Sequence, residues 1–249
     1  MEALEDFGIR RGIVQLKSLP EPDQLDFELP EGHCCLISDD GTDLTVEVLR
    51  QFAQRGWPVV ALRLPQQVVA RRQPLPAGTH ELVLHDLSEA HLQERMAEAA
   101  RLYGPVAVFV HLHPSCSECQ GEGVTFTVSG RQVLQSVFLT AKYLKETLNK
   151  AAVKGRAAFM TVVRLDGEFG LGERSDFDPT SGGLFGLVKS LNLEWEAVFC
   201  RALDLDPELK PDQAASLVLA ELRDPNRRVV EVGYSANGRA TLALAPQTA

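Results

Sequence analysis

The densest run of reactive side chains is His111-Leu112-His113-Pro114-Ser115-Cys116-Ser117-Glu118-Cys119, two imidazoles followed by a Cys-x-x-Cys. His111, His113, Cys116 and Cys119 together could close a zinc tetrahedron. A zinc-bound water would also need a carboxylate base, and Leu112-His113 stand where a His-x-Glu element would carry one. The expectation is therefore no metal, with His111 ending a strand, Pro114 turning the chain and the thiols in a loop. A second group is Ser38-Asp39-Asp40-Gly41-Thr42-Asp43-Leu44, which follows an apolar run of strand length. A strand-to-helix turn is where glycines let backbone N–H groups and a helix N-terminus approach a pyrophosphate. Here only Gly41 is present, and Asp39, Asp40 and Asp43 crowd the place where phosphate charges would sit, which Coulomb repulsion disfavours. Asp40 or Thr42 reads as a helix cap.

Three further groups carry charge without a fixed ligand spacing. Asp86 precedes Leu87-Ser88 and suits either a contact near an adenine or an ordinary helix start. Arg63, Arg71 and Arg72 form a basic cluster of the kind that holds a 2′-phosphate, but without a glycine turn they read as a solvated loop or a contact for a neighbouring domain. Asp166, Glu168, Glu173, Asp176 and Asp178, interspersed with Gly167, Gly170 and Gly172, read as a solvated acidic loop.

The elements that must position these groups follow one grammar: short apolar runs alternate with amphipathic segments, as in a parallel sheet covered on both faces. Residues 1–30 give an edge strand over Gly12 to Lys17 and then an extended connector with Pro20, Pro22 and Pro30. Strands are expected over His33 to Ser38, Pro58 to Leu64, Glu81 to Leu84, Val106 to His111, Ala157 to Val163 and Val198 to Leu203. Helices are expected around Leu44 to Phe52, from Ser88 to Tyr103, from Val128 to Lys150, from Leu184 to Trp195 and from Asp212 to Leu222. Arg228 to Gly233 and Arg239 to Leu244 close the chain as a strand pair, and Pro65 to Pro76 reads as a loop. The fold class is thus α/β, a doubly wound Rossmann-like parallel sheet with helices on both faces, over residues 31–245, with 246–249 as a linker.

Composition narrows the function. The 249 residues are 45% hydrophobic and 24% charged, which suits a folded domain with a full core. With 34 Asp+Glu against 25 Lys+Arg the net charge is -9, which argues against nucleic-acid binding. No apolar run reaches the roughly 18 residues of a membrane span, and the acidic start Met1-Glu2-Ala3-Leu4-Glu5-Asp6 is unlike a signal peptide. Five scattered cysteines, two of them adjacent in an apolar run, fit reduced thiols and a cytoplasmic protein.

The segment Gly182-Gly183-Leu184-Phe185-Gly186-Leu187-Val188-Lys189-Ser190-Leu191-Asn192-Leu193-Glu194-Trp195, followed by Cys200-Arg201-Ala202-Leu203-Asp204-Leu205, resembles the helix and strand near the end of ketoreductase domains in polyketide and polyunsaturated-fatty-acid synthases. Those domains are similar to short-chain dehydrogenase/reductases. In them the ketoreductase resembles two fused reductase-like halves, a truncated structural one and a second that binds NADPH and does the chemistry. The resemblance covers residues 30 to 245 in element order and is sharpest from Phe159 to Leu205. Asp39-Asp40-Gly41-Thr42 also resembles the degenerate first turn of structural halves.

The resemblance implies a catalytic Tyr that donates a proton to the developing alkoxide, a Lys that keeps it polarised and a Ser that positions the carbonyl. Aligned on the helix without a gap, Phe177 takes the place of the Tyr and Ser181 that of the Lys, and the Ser position falls near Val163 or Arg164. No Tyr lies between Tyr143 and Tyr234 to rescue the proton donor. What the resemblance implies is a degenerate reductase domain that is a non-catalytic structural subdomain. It would bind no cofactor itself, NADPH sitting in the partner catalytic ketoreductase half, and its other partners would be neighbouring synthase domains. The expected contacts are Ile13 to Leu16 and Val229 to Leu244, taken as outermost strands. Structural halves usually lack some Rossmann elements, whereas this chain keeps nearly all, so an active, diverged NADPH-dependent short-chain ketoreductase and a binding module with an occluded crevice stand as alternatives.

Overall fold

A computed structural model of the chain describes residues 12–114, 128–172 and 179–246. Its strands are β1 (Gly12–Ser18), β2 (Cys34–Asp39), β3 (Val59–Arg63), β4 (His80–Val83), β5 (Val106–Leu112), β6 (Ala158–Val163), β7 (Phe199–Leu205), β8 (Glu231–Ser235) and β9 (Gly238–Pro246). Its helices are α1 (Asp43–Gln54), α2 (Glu89–Tyr103), α3 (Val128–Lys154), α4 (Ser181–Glu194) and α5 (Pro211–Leu222). The strands form one sheet in the order β1-β9-β8-β7-β6-β5-β2-β3-β4. From β4 to β8 all neighbours are parallel, and β9 alone is reversed, pairing antiparallel with both β8 and β1.

The order reverses between β2 and β5, so the crevice expected of a doubly wound sheet opens at their carboxyl ends. Apolar residues fill both faces because successive side chains of a strand point opposite ways. Cys34 and Leu36 join Val60, Phe109 and Phe159 under α2, α3 and α4, while Cys35 and Ile37 join Ala61, Val108 and Met160 under α1 and α5. Cys34, Cys35 and Cys200 are free thiols in this core, and burial pushes Cys34 and Cys200 up to about 12, so they are inert packing groups.

Helix starts follow local chemistry. The Thr42 hydroxyl accepts from Leu44 N at the start of α1, the Ser88 hydroxyl accepts from His91 N at the start of α2, and Pro211 opens α5. One expectation is corrected. The stretch Val229 to Val232 is not outermost: β8 begins at Glu231 and lies between β7 and β9, with Val232 fully buried. Among the described helices none is long and apolar enough to cross a membrane.

Candidate functional site

The carboxyl ends of β2, β5, β6 and β7 gather most of the polar side chains singled out above, and each is bound to another part of the chain. At the end of β2, Asp39 is 1% exposed and forms an ion pair with the buried Arg63 guanidinium at the end of β3. Asp39 also accepts from Gly41 N at 2.9 Å. Arg63 spends its remaining donors on Glu81 Oε1 and on Gln73 O, both at 2.9 Å. Asp40 turns into α1, where it accepts from Thr42 N at 2.9 Å and from the Thr45 hydroxyl at 2.7 Å. Burial pushes its carboxyl up from the usual range while these hydrogen bonds pull it down. Asp39 and Asp40 therefore do not form the repulsive wall expected from sequence; one is neutralised by a cation and the other completes a cap.

What closes this turn is the segment after β3. Gly41 has φ +81, and a Cβ built on it would lie 2.4 Å from Arg71 O and 2.5 Å from Val69 Cγ1. Residues 64–73 thus lie directly on the turn as a strap. Pro65 O accepts from Val68 N and Val69 N at 2.8 and 3.0 Å, and Arg72 donates to Leu64 O at 2.5 Å. Val69 packs among the core residues under α2 and α3. The expectation of a solvated basic loop holds for Arg71 and Arg72, which are exposed even though Arg72 bonds back to the chain, and is corrected only for Arg63, which is buried in its ion pair with Asp39. The strap rests where a phosphate would approach backbone N–H groups.

Across the reversal of strand order, Ser38 Oγ lies 2.9 Å from His111 Nδ1 and accepts from Leu112 N at 3.0 Å. His111 Nε2 in turn lies 3.3 Å from His113 Nδ1. Burial holds the His111 imidazole well below its ordinary pKa, hence neutral. A serine beside a neutral imidazole is a nucleophile–base arrangement in principle, but Ser38 and His111 are each 1% exposed, so the hydroxyl offers no face to a substrate. The pair locks β2 to β5. Both His111 nitrogens are engaged, and Cys116 and Cys119 lie outside the described residues. Among the described residues no group of three or more His, Cys, Asp or Glu is placed to hold a metal ion.

At the ends of β6 and β7 stands a carboxyl pair, Asp166, which the sequence reading left within a solvated loop, and Asp204, which it did not single out as a site residue. Asp204 accepts from Leu165 N and Phe169 N, each at 2.8 Å, and Asp166 accepts from Glu168 N, Gly170 N and Gly172 N at 2.8 to 3.0 Å. Burial, with Asp166 nearby, pushes Asp204 up to about 7 despite its two N–H donors. Burial raises Asp166 too, yet its backbone donors together outweigh that and hold its carboxyl below the usual range. Gly167 sits against the end of β8, where its Cβ would be 2.0 Å from Tyr234 O. Glu168 accepts from Ser235 Oγ and Asn237 Nδ2, both at 2.8 Å. The first part of the acidic loop is thus a packed clasp over β7 and β8, while Glu173, Asp176 and Asp178 lie outside the described residues. The clasp's signal in the sequence was the glycine spacing after Asp166.

Of the residues set against a catalytic triad, Phe177 lies outside the described residues. Ser181 is buried as the first residue of α4. Arg164 donates to the carbonyls of Pro207 and Leu209 and so fastens β6 to the loop after β7. A cleft of about 480 Å³ remains open between Pro65, Val68, His85, Asp86, Glu89 and Gln132. At its rim Asp86 accepts from Ser88 N at 2.8 Å, and hydrogen bonding by Ser88 holds its carboxyl below the usual range, which fits the helix-start reading.

No family model matches the chain. Over 230 residues it is 30% identical to a polyunsaturated fatty acid synthase subunit of Thraustochytrium sp., an alignment covering 90% of this chain and 8% of that protein. The chain therefore spans a small part of the curated relative it matches. Among solved structures it resembles a 3-ketoacyl-(acyl-carrier-protein) reductase from Brucella melitensis complexed with NADH, with TM-score 0.62 and 18% identity over 81% of this chain and 94% of that one. It also resembles a mutant short-chain dehydrogenase/reductase from Serratia marcescens, with TM-score 0.58 and 14% identity over 80% and 92% of the two chains. The fold is that of the short-chain dehydrogenase/reductases.

Proposed function

We propose that this chain is the non-catalytic structural subdomain of a ketoreductase in a polyketide or polyunsaturated-fatty-acid synthase, packing against and ordering the catalytic half. The observation that carries the reading is the self-closed turn after β2. The strap touches Gly41, and the cation that would meet a phosphate is spent on Asp39 and Glu81. The dinucleotide implied by the fold does not fit these residues, because a pyrophosphate at the turn would meet Arg71 O and Val69 instead of free N–H groups. NADPH belongs, in this reading, to the partner half. The missing proton donor at Phe177 adds to it.

The likeness to a synthase subunit favours neighbouring synthase domains as further partners. Phe138 and Val153 of α3 and Leu193 of α4 are exposed apolar side chains. Lys145, between them in sequence, lies 4.0 Å from Glu194, so the two helices offer one face for the reductase half. Buried free thiols and a net charge of -9 suit a cytoplasmic protein that binds no nucleic acid. Calorimetric titration with NADPH is the direct test: no heat of binding is expected, and a saturable micromolar isotherm would overturn the cofactor reading.

A second reading is an active, diverged NADPH-dependent ketoreductase. It is favoured by the full set of Rossmann elements and by the open cleft beside Asp86. NADPH oxidation on addition of a small ketone, lost on substitution in that cleft, would establish it in place of the first.

A further inference from the structure

We propose that two copies of this chain join through β1, pairing antiparallel about a two-fold axis at Gln15. Among the described strands β1 has a neighbour on one side, β9, and its other edge is open. Which residues face that edge follows from Leu19, whose N–H donates to Arg239 O at 2.8 Å in continuation of the β1–β9 register. Backbone groups alternate in an antiparallel pair, so Lys17, Gln15 and Ile13 likewise bond to β9. Ser18, Leu16, Val14 and Gly12 turn their N–H and C=O groups outward.

Self-pairing centred on Gln15 sets Val14 opposite Leu16 and Gly12 opposite Ser18 of the second copy. Every outward-facing residue of β1 then meets another outward-facing residue, and none is left over. The side chains agree with this register. Lys17, the one charged residue of β1, falls opposite Ile13 and not opposite its own copy. Val14 is paired with Leu244 and Leu16 with Leu242, which puts all four on one face, with Val14 47% and Leu244 75% exposed. The two-fold brings two such patches side by side.

Support on the ribbon's inner side is short, since the backbone ladder of β9 to β8 ends at Ala240 and the Thr241 hydroxyl donates to Glu231 O at 2.7 Å, while β9 stays paired with β1 as far as Pro246. A two-stranded ribbon is marginal by itself, and a second copy would make it a four-stranded one. The opposite edge of the sheet is built differently. β4 has four residues, exposes His80 and Glu81, and Tyr103 both stacks on His80 and donates to Glu81 O at 3.3 Å. That edge is blunted, whereas β1 has seven residues, carries Ile13, Val14 and Leu16, and is open among the described strands.

Sedimentation of the full chain is expected to give a dimer. Gln15 would face its own copy as a non-hydrogen-bonded pair, with Cα atoms about 4.5 Å apart, within disulfide range. Gln15→Cys under mild oxidation should therefore give a covalent dimer on a non-reducing gel, while the wild type, with its five cysteines, does not. Val14→Pro removes one outward N–H and spares the ladder to β9, and should give a folded monomer. At the exposed position 13 the sign of charge should matter: Ile13→Lys sets like charges opposite Lys17 and weakens association roughly tenfold, while Ile13→Asp preserves or tightens it. A wild type that sediments as a monomer at high micromolar concentration, a Gln15→Cys variant that does not cross-link, or equal effects of Ile13→Lys and Ile13→Asp would each overturn the proposal. Should Val14→Pro fail to fold, the pair of variants at position 13 still decides it. Because none of these readouts involves NADPH or a reductase half, this proposal and the scaffold reading can fail separately.

Discussion

At the scale of single residues, the groups that looked reactive are mostly consumed by the fold, and their consumption has measurable consequences. Arg63 is buried against Asp39 and shared with the half-exposed Glu81. Arg63→Met would leave Asp39 buried with one backbone donor, at a cost of about 3 kcal/mol, whereas Asp39→Asn leaves Arg63 with Glu81 and Gln73 O and should cost less. Urea unfolding of both variants checks the order. Asp204, pushed up to about 7, binds a proton in the folded chain that the unfolded chain releases near pH 4. Its contribution is present below pH 4 and is lost as pH rises to about 7, so stability should fall over that interval, by about 4 kcal/mol at most. Asp166 has the opposite sign, contributing above pH 4 and losing that contribution as pH falls. Unfolding free energies at pH 5 and pH 8 should therefore differ in the wild type, and Asp204→Asn should remove most of the difference. The zinc expectation is tested by elemental analysis of purified protein, in which no stoichiometric metal is expected.

At the scale of elements, the strands and helices were legible because burial imposes periodicity. Cys34 to Ser38 and Val106 to His111 are continuous apolar runs since both faces of a parallel sheet are covered. α1 and α2 carry hydroxyl caps that can be read directly. Pairing was less legible: Val229 to Val232 looks like an edge because nothing local tells which strand will lie beside it, whereas β9 returns antiparallel along Gly233 to Ser235 and Val232 itself is buried. The strap was hidden for a related reason. Pro65 to Pro76 is polar and proline-rich, and within it Val68-Val69 and Leu75 are the apolar residues that signal an inward turn. Gly41→Ala isolates its role, because the new Cβ would strain a residue at φ +81 and collide with Arg71 O. The cost should be about 2 kcal/mol or more, and trypsin should cleave after Arg71 or Arg72 faster in the variant than in the wild type.

At the scale of the whole molecule, the scaffold reading depends on surfaces the chain does not cover itself. The exposed face of α3 and α4 carries Phe138, Val153 and Leu193 among lysines, and these are larger apolar groups than an isolated surface helix needs. Val232 cannot serve as a probe of partnership, since it is buried inside the sheet and a charge there would unfold the chain. Phe138→Glu and Leu193→Glu can, because both side chains are exposed and neither supports the core. A polypeptide joining this chain to a catalytic reductase half is expected to melt higher and turn over faster than the catalytic half alone. The gain should be that of a domain interface, several kcal/mol at most after ordering costs. The two glutamate substitutions should reduce that gain while leaving NADPH binding by the catalytic half unchanged, since no residue of this chain contacts the cofactor in this reading. Equal melting temperature and turnover with and without the chain would reject the scaffold role and favour a separate binding function for the cleft beside Asp86.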